Sequence, residues 1–370
     1  MREPDKKKLV RVLCVFGALD RGGAETMCMN LYRNIDRDKV QFDFVKHTKR
    51  TCAFDEEIIQ LGGRIFTAPQ YKIYNHFEYI RWWKAFFSQH TEYKIVHGHY
   101  FTISAVYFAV ARKFGIKTIG HSHSTGSDSK SLETSICRFY EKMVERYSDY
   151  CIACSNASGL WLFPNKDFLV LRNAIDPSRF LYSPETTKIV RKELGISDST
   201  LVLGNVGNFS YAKNPIGVIN VLKAVSEKHP DVCLIMVGDG ALHLDAINYA
   251  EKVGLKDKII FTGVRSDVSE IYQAMDAFVF PSFFEGLPVA VIEAQASGIQ
   301  CFISERVSKE CDITGRCSFL PIDEVNVWTD TILSADLVKM DTRQQICEAG
   351  YDIQKTSNWL QEFYIGLLSE

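Results

Sequence analysis

Two glutamates in one short stretch are the residues best placed to do chemistry. They are Glu285 and Glu293, in Pro281-Ser282-Phe283-Phe284-Glu285-Gly286-Leu287-Pro288-Val289-Ala290-Val291-Ile292-Glu293-Ala294. An apolar strand pattern ends at Phe280. Pro288 suits the first turn of a helix, where its missing N–H is not needed, and Gly298 suits the end. Glu285 therefore falls in the loop before a helix, and Glu293 projects from the helix itself. The free N–H groups and dipole at such a helix start attract phosphate oxygens. Carboxylates beside it can accept hydrogen bonds from ribose or sugar hydroxyls. A capped helix with one exposed glutamate is the plainer alternative. Glu293, however, stands among Val291, Ile292 and Ala294, where burial of a carboxylate needs a partner.

Other groups stand at similar places. Lys213 precedes Asn214-Pro215 in a loop between strand and helix. A solvated lysine is the plain alternative there. Gly22 and Gly23, after Arg21, open an early helix, and only glycine lets backbone N–H groups approach a ligand without strain. Glu25 suits the cap of that helix. His97 and His99 end one predicted strand, and His121 and His123 follow the next. Spaced i, i+2, such imidazoles can line a cleft or bind metal, but no carboxylate or cysteine close in sequence completes a set. A polar strand end with solvent-facing rings is the alternative for His97 and His99. Cys151 and Cys154 lie within Tyr150-Cys151-Ile152-Ala153-Cys154, a buried-strand pattern, and read as core.

The elements that must hold these groups repeat. Leu9–Phe16 is a short apolar run that leads through Gly17 and Arg21-Gly22-Gly23 into a helical pattern from Ala24 to Asn34. Leu201–Gly207 leads through a polar loop into another, Pro215 to Ser226. Strand, glycine-containing loop and helix make the first unit of a doubly wound α/β domain. Further strands are predicted at Phe42–Val45, Ile95–Val96, Thr118–Gly120 and Cys151–Cys154, then at Cys233–Val237, Ile259–Phe261, Ala277–Phe280 and Cys301–Ser304. Strands fed by helices form parallel sheets buried on both faces. Turn-rich Arg172–Pro177 marks the linker. The domains are then 1–174 and 175–352, with a last amphipathic helix from Ile353 to Leu368 expected to fold back on the first. Ligands of open α/β sheets bind at the carboxyl ends of the strands, so the expected site is the cleft between two such sheets.

Composition supports this frame. The 370 residues are 46% hydrophobic and 24% charged, which suits two globular cores and excludes disordered, collagen-like and coiled-coil classes. Forty-three Lys and Arg against 45 Asp and Glu leave a net charge of -2, with no global basic footprint for nucleic acid. Eleven irregularly spaced cysteines form no disulfide framework and fit a reducing compartment. No apolar run approaches the roughly 20 residues of a membrane span. Arg11 interrupts the apolar stretch after the basic start, against a signal peptide. The chain reads as cytoplasmic.

The pattern P-S-x-x-E-G-x-P-x-x-x-x-E-A-x-A-x-G resembles the signature of retaining glycosyltransferases of family 4, whose fold is GT-B: two Rossmann-like domains with parallel sheets facing an interdomain cleft. Arg21-Gly22-Gly23-Ala24-Glu25 is similar to that family's first loop, and Asn30–Asp36 to its bacterial exopolysaccharide and capsule branch. Lys213-Asn214, Gly238-Asp239-Gly240, Phe261-Thr262-Gly263 and Asp276–Ser282 follow in the family's order. The resemblance implies a hexosyltransferase that uses a nucleotide-diphosphate sugar, UDP-sugar foremost, as substrate, with no metal or other cofactor. It implies that Glu293 holds the ribose and that Glu285 contacts the transferred sugar. Lys213 would neutralise the leaving β-phosphate, and Gly22 and Gly23 would approach the diphosphate or the acceptor. His123, more than His121, would lie near the donor sugar. Gly238, Asp239, Gly286 and Leu287 join the donor side, and Gly263, Val264 and Arg265 offer backbone groups to the base. Many relatives carry arginine where this chain has Asn208, so one positive charge on the diphosphate is missing unless Arg265, Arg172 or a divalent cation replaces it.

Retention of configuration by double displacement needs a carboxylate nucleophile. None is required by the first-domain motifs, so front-face attack assisted by the leaving diphosphate is favoured. For the acceptor, the aromatic and basic segment Tyr74–Phe87, with Arg81, Trp82, Trp83 and Lys84, suits a helix in a membrane interface. A core helix is its alternative. The acceptor is expected to be a growing, lipid-linked polysaccharide, met at the cytoplasmic face of the membrane. The rivals are a nucleotide-sugar epimerase of the same architecture and a non-catalytic nucleotide-sugar-binding subunit. A dehydrogenase is disfavoured, since neither opening gives G-x-G-x-x-G with a following acidic residue.

Overall fold

The computed structural model describes residues 9–123, 140, 142–285 and 287–369. Its contacts divide the chain into two compact units, residues 1–174 with 353–370, and residues 175–352. Among the described residues the first holds seven strands: β1 (Val10–Phe16), β2 (Val40–Lys46), β3 (Ile65–Thr67), β4 (Ile95–Gly98), β5 (Lys117–Ser122), β6 (Tyr150–Ala153) and β7 (Leu169–Val170). They pair in parallel in the order β3-β2-β1-β4-β5-β6-β7. The second holds six: β8 (Leu201–Val206), β9 (Val232–Val237), β10 (Ile259–Gly263), β11 (Ala277–Phe280), β12 (Gln300–Ser304) and β13 (Cys317–Leu320). Their order, β10-β9-β8-β11-β12-β13, is the doubly wound one, with its switch between the first and fourth strands.

Strand alternation builds a core on each face of each sheet. In β1, Val12, Cys14 and Phe16 pack on one side with Phe42, Phe44, Ile95 and Ile119. Leu13 and Val15 pack on the other with Val45, Val96 and Trp83. Near-continuous Val, Ile and Phe runs are what a sheet buried on both faces requires. The helix Ile353–Leu367 lays Ile353, Leu360, Tyr364 and Leu367 onto the first of these cores. Gln361 Oε1 accepts the Asp36 N–H at 3.1 Å and helps fix its register.

The aromatic helix runs from His76 to Gln89, and it is the core helix of the two alternatives. Trp83 is fully buried, with its ring 5.0 Å from that of Tyr107. That corrects its assignment as a membrane contact: the ring fills the interior of the first unit. Trp82 is half-buried against Phe86, at 5.2 Å, and only Arg81 and Lys84 of the named four point outward. The exposed aromatics of this region are Tyr74 and Phe77. Trp83→Ala should therefore lower stability by about 3–5 kcal/mol, the range for emptying a large aromatic site. Trp82→Ala should cost clearly less. Urea denaturation of the two variants tests this, and equal losses would contradict the packing described.

Candidate active site

The switch point of the second sheet brings the loop after β8 against the loop after β11. Phe283 N–H donates to the Ala212 carbonyl at 2.8 Å, and Asn214 Nδ2 donates to the Pro281 carbonyl at 3.0 Å. Tyr211 stacks on Phe283, with centroids 4.9 Å apart. Asn214 stands in the left-handed region, φ 51°, and caps the helix Pro215–Lys228 by accepting the Gly217 N–H. Asparagine tolerates that conformation better than most residues and supplies a cap oxygen.

This scaffold joins two of the sequence candidates. Lys213 Nζ lies 2.6 Å from Glu285 Oε1, and 4.8 Å from the centre of the Phe280 ring. Both charged side chains are largely covered, at 21% and 12% exposure, so their attraction is little screened by solvent. The helix Val289–Ala296 follows with Pro288 at its N-cap. On it, the Glu293 carboxylate accepts a hydrogen bond from the Tyr272 hydroxyl at 3.2 Å. Burial pushes this carboxyl up to about 7, while the Tyr272 hydroxyl and the charge of Arg179 hold it down. Tyr272 and Arg179 are neighbours of Glu293 that the sequence reading missed. Tyr272 lies on a separate short helix and Arg179 just past the linker, so neither carried a local signal.

The remaining donor-side candidates are placed unequally. Gly238 takes φ 133°, and a Cβ there would fall 1.9 Å from the Gly207 carbonyl oxygen, so it locks the end of β9 onto the loop after β8. Asp239 accepts from the Gly240 N–H and from His243, each at 2.7 Å. Asn208 is exposed and accepts from the Ser210 hydroxyl at 2.9 Å. Arg265 is clamped by Asp267 at 2.6 Å and Glu193 at 3.2 Å. Its charge is paired with these two carboxylates, as that of Lys213 is with Glu285. The Gly263 carbonyl accepts the Gly238 N–H, and Val264 is exposed beside it. Leu287 is buried in the core, so its side chain packs rather than binds. Gly286 lies outside the described residues.

In the first unit, exposed Gly22 and Gly23 begin the helix Gly23–Asn34. The Glu25 carboxylate folds over that start, and its oxygen lies 2.3 Å from where a Cβ on Gly22 would stand. Burial raises its pKa, and a hydrogen bond from its own backbone N–H opposes this. The four histidines come together. His97 Nε2 lies 3.1 Å from His121 Nδ1, His99 Nδ1 lies 2.9 Å from His123 Nε2, and the rings of His121 and His123 stack at 4.1 Å. His97 Nδ1 reaches the Tyr364 hydroxyl at 2.6 Å. His97, His99 and His121 are buried, which corrects the solvent-facing alternative. Burial pushes His97 and His123 down to about 3 and His99 and His121 well below the usual range, so all four are neutral at pH 7.

Two parallel sheets of doubly wound order, with a lysine–carboxylate pair and a helix start at the carboxyl edge of the second, define a protein of the doubly wound α/β class. Comparison with known proteins makes the assignment specific. Residues 21–179 match the model of Glycosyltransferase Family 4, and residues 186–315 that of Glycosyl transferases group 1. The chain is 32% identical over 370 residues, 96% of both chains, to EpsF of Bacillus subtilis, a glycosyltransferase by name. It is 24% identical over 298 residues, 75% of this chain and 76% of the other, to the UDP-Gal:alpha-D-GlcNAc-diphosphoundecaprenol alpha-1,3-galactosyltransferase of Escherichia coli. HepE of Anabaena, solved with UDP and glucose, superposes with a TM-score of 0.72 at 17% identity, covering 97% of this chain and 98% of its own. The chain belongs to the family 4 glycosyltransferases of GT-B fold.

The Tyr272 hydroxyl favours the charged form of Glu293, so Tyr272→Phe should raise that carboxyl further above about 7. Carbon-13 NMR of glutamate carboxyls, with Glu293→Gln to assign the signal, reads the shift. An unmoved titration would remove Tyr272 as the partner that sets it.

Proposed function

We propose that this enzyme transfers a hexose from a UDP-sugar to a lipid-linked saccharide with retention of anomeric configuration, using no metal or other cofactor in catalysis. The observation that carries the reading is the Lys213–Glu285 pair, held at 2.6 Å by the joined loops after β8 and β11. A complex of HepE with UDP-glucose and the diphosphoundecaprenol substrate in the name of the E. coli relative support the choice of donor and acceptor. Glu293 accepts the ribose hydroxyls. Those two donors favour its carboxylate form, so binding completes the ionisation that burial holds near neutrality. Glu285 accepts a hydroxyl of the transferred sugar. Lys213, with the N–H groups at the start of the Val289–Ala296 helix, stabilises charge as it builds on the departing diphosphate. Backbone groups of Gly263, Val264 and Arg265 face the base.

In the first unit, Gly22 and Gly23 leave backbone open to the diphosphate or the acceptor. His123, neutral at pH 7, gives or takes a hydrogen bond to the donor sugar and does not act as a cation. Chemically the acceptor hydroxyl attacks the anomeric carbon from the face the diphosphate leaves. A β-phosphate oxygen takes its proton, and UDP departs. No protein carboxylate has to form a covalent intermediate.

Access to a lipid-linked acceptor requires contact with the cytoplasmic face of the membrane. No helix among the described residues is long and apolar enough to cross it. Tyr74 and Phe77, 82% and 81% exposed, sit among Lys72, Arg81 and Lys84 and form the surface for a peripheral contact.

Lys213→Ala should cut turnover at least ~100-fold with the fold intact, the scale of losing one stabilising donor in the transition state. Near-normal kcat would end the leaving-group role. Tyr74→Ser with Phe77→Ser should reduce co-sedimentation with vesicles containing anionic lipid. Undiminished binding would place the membrane contact elsewhere.

A further inference from the structure

The histidine cluster of the first unit holds more polar atoms than its own hydrogen bonds use. His99 Nε2, His121 Nε2 and His123 Nδ1 are buried and have no hydrogen-bond partner among the described residues. An unsatisfied buried nitrogen costs about 1–3 kcal/mol, so His99 Nε2, which also faces two thiols, calls for an occupant. The same face supplies ligands of another kind. Parallel register sets Cys14 of β1 beside His97 of β4, and His97 beside Ile119 of β5. Strand alternation then lays Cys14, His97, His99, His121 and His123 on one side of the sheet. Cys28, from the helix Gly23–Asn34, brings its thiol to within 4.8 Å of that of Cys14 there. The ligand atoms of Cys14, Cys28 and His99 all lie within 4.8 Å of one another, and so do those of His97, His99 and His121. His99 belongs to both sets.

We propose that Cys14, Cys28 and His99 bind one zinc ion, three protein ligands that leave its fourth position open. The chemistry fits this ion. Zinc takes four ligands in a tetrahedron from thiolate sulfur and imidazole nitrogen, at about 2.3 and 2.0–2.1 Å. Neighbouring ligand atoms then sit roughly 3.3–3.8 Å apart, so the three side chains, now within 4.8 Å of one another, close by at most about 1.5 Å. Two thiols lose their protons to solvent on binding, and their two negative charges cancel the charge of the ion. A neutral complex suits a site without a carboxylate in either ligand set. The bond from His99 Nδ1 to His123 Nε2 is the outer contact that leaves His99 Nε2 as the ligating nitrogen. The ion ties β1, the Gly23–Asn34 helix and the end of β4 together and fixes His123 through His99. It is a structural ion, distinct from the metal-free transfer chemistry proposed above, and it stands whether or not that reading does.

The test is metal content. Protein expressed in zinc-supplemented medium and purified without chelator should carry one zinc per chain by mass spectrometry. Protein grown with cobalt should show a thiolate-to-cobalt charge-transfer band in the near ultraviolet. Cys28→Ser and His99→Gln should each lower retained zinc at least ~10-fold, with cooperative melting preserved. If either variant fails to fold, the cobalt spectrum of the wild type decides. Folded wild-type protein without zinc and without that band overturns the proposal, as do folded variants that keep the metal.

Discussion

Parallel pairing forces the chain to re-enter its sheet from the same end after every strand, and the rest of this structure depends on that constraint. Each return passes through a helix, so every loop that follows a strand gathers at one edge. In the second unit the edge between β8 and β11 is where the order reverses, and the loops after those strands meet. Lys213 and Glu285 are far apart in sequence and adjacent in space for this reason alone. In the first unit the same rule collects the helix start at Gly22 and the ends of β4 and β5 at the corresponding edge. The chemistry of both units is a consequence of winding, which is why one repeated sequence opening was enough to suggest it.

How much was legible follows from the range of each signal. Long, apolar β-branched runs such as Val10–Phe16 and Val232–Val237 announce central strands, because both of their faces are buried. The edge strands β3, β7 and β13, of three, two and four residues, went unread, because a half-exposed pair of residues has no periodicity to detect. The Tyr74–Phe87 segment shows the limit of composition. Aromatic and basic residues suit a membrane interface and a buried helix equally, and only packing, Trp83 against Tyr107, separates the two. The donor-side glutamates and lysine were legible because glycine and proline mark their loops. Tyr272 was not, since a hydroxyl donor reaching Glu293 from a neighbouring helix leaves no trace in local sequence.

The histidines fall between these cases. Each i, i+2 pair was visible, and sequence proximity offered nothing to complete a set. Register supplied what proximity did not. One strand placed Cys14 beside His97, and a helix placed Cys28 beside Cys14. A sheet brings together residues separated by whole βαβ units, so a metal-type cluster on strands has no compact motif to find, unlike the short spacings of a zinc finger.

The charge on the diphosphate brings the two functional arguments of the second unit together. Asn208 contributes no cation, and Arg265 is held by Asp267 and Glu193. Lys213 is the cation that the joined loops direct to the site, and in the unliganded chain it is spent on Glu285. Under the proposed transfer, the donor must break this pair. A diphosphate carries more negative charge than one carboxylate and also draws on the N–H groups of the Val289–Ala296 helix, so the exchange favours the donor. Once Lys213 turns to phosphate, Glu285 loses its counterion and its oxygens are free to accept a sugar hydroxyl. One ion pair thus stores both contacts, and a nucleotide without a sugar opens it while satisfying only half. With asparagine at 208, Lys213 carries more of that charge, and in the proposed transfer this ties phosphate recognition to sugar recognition.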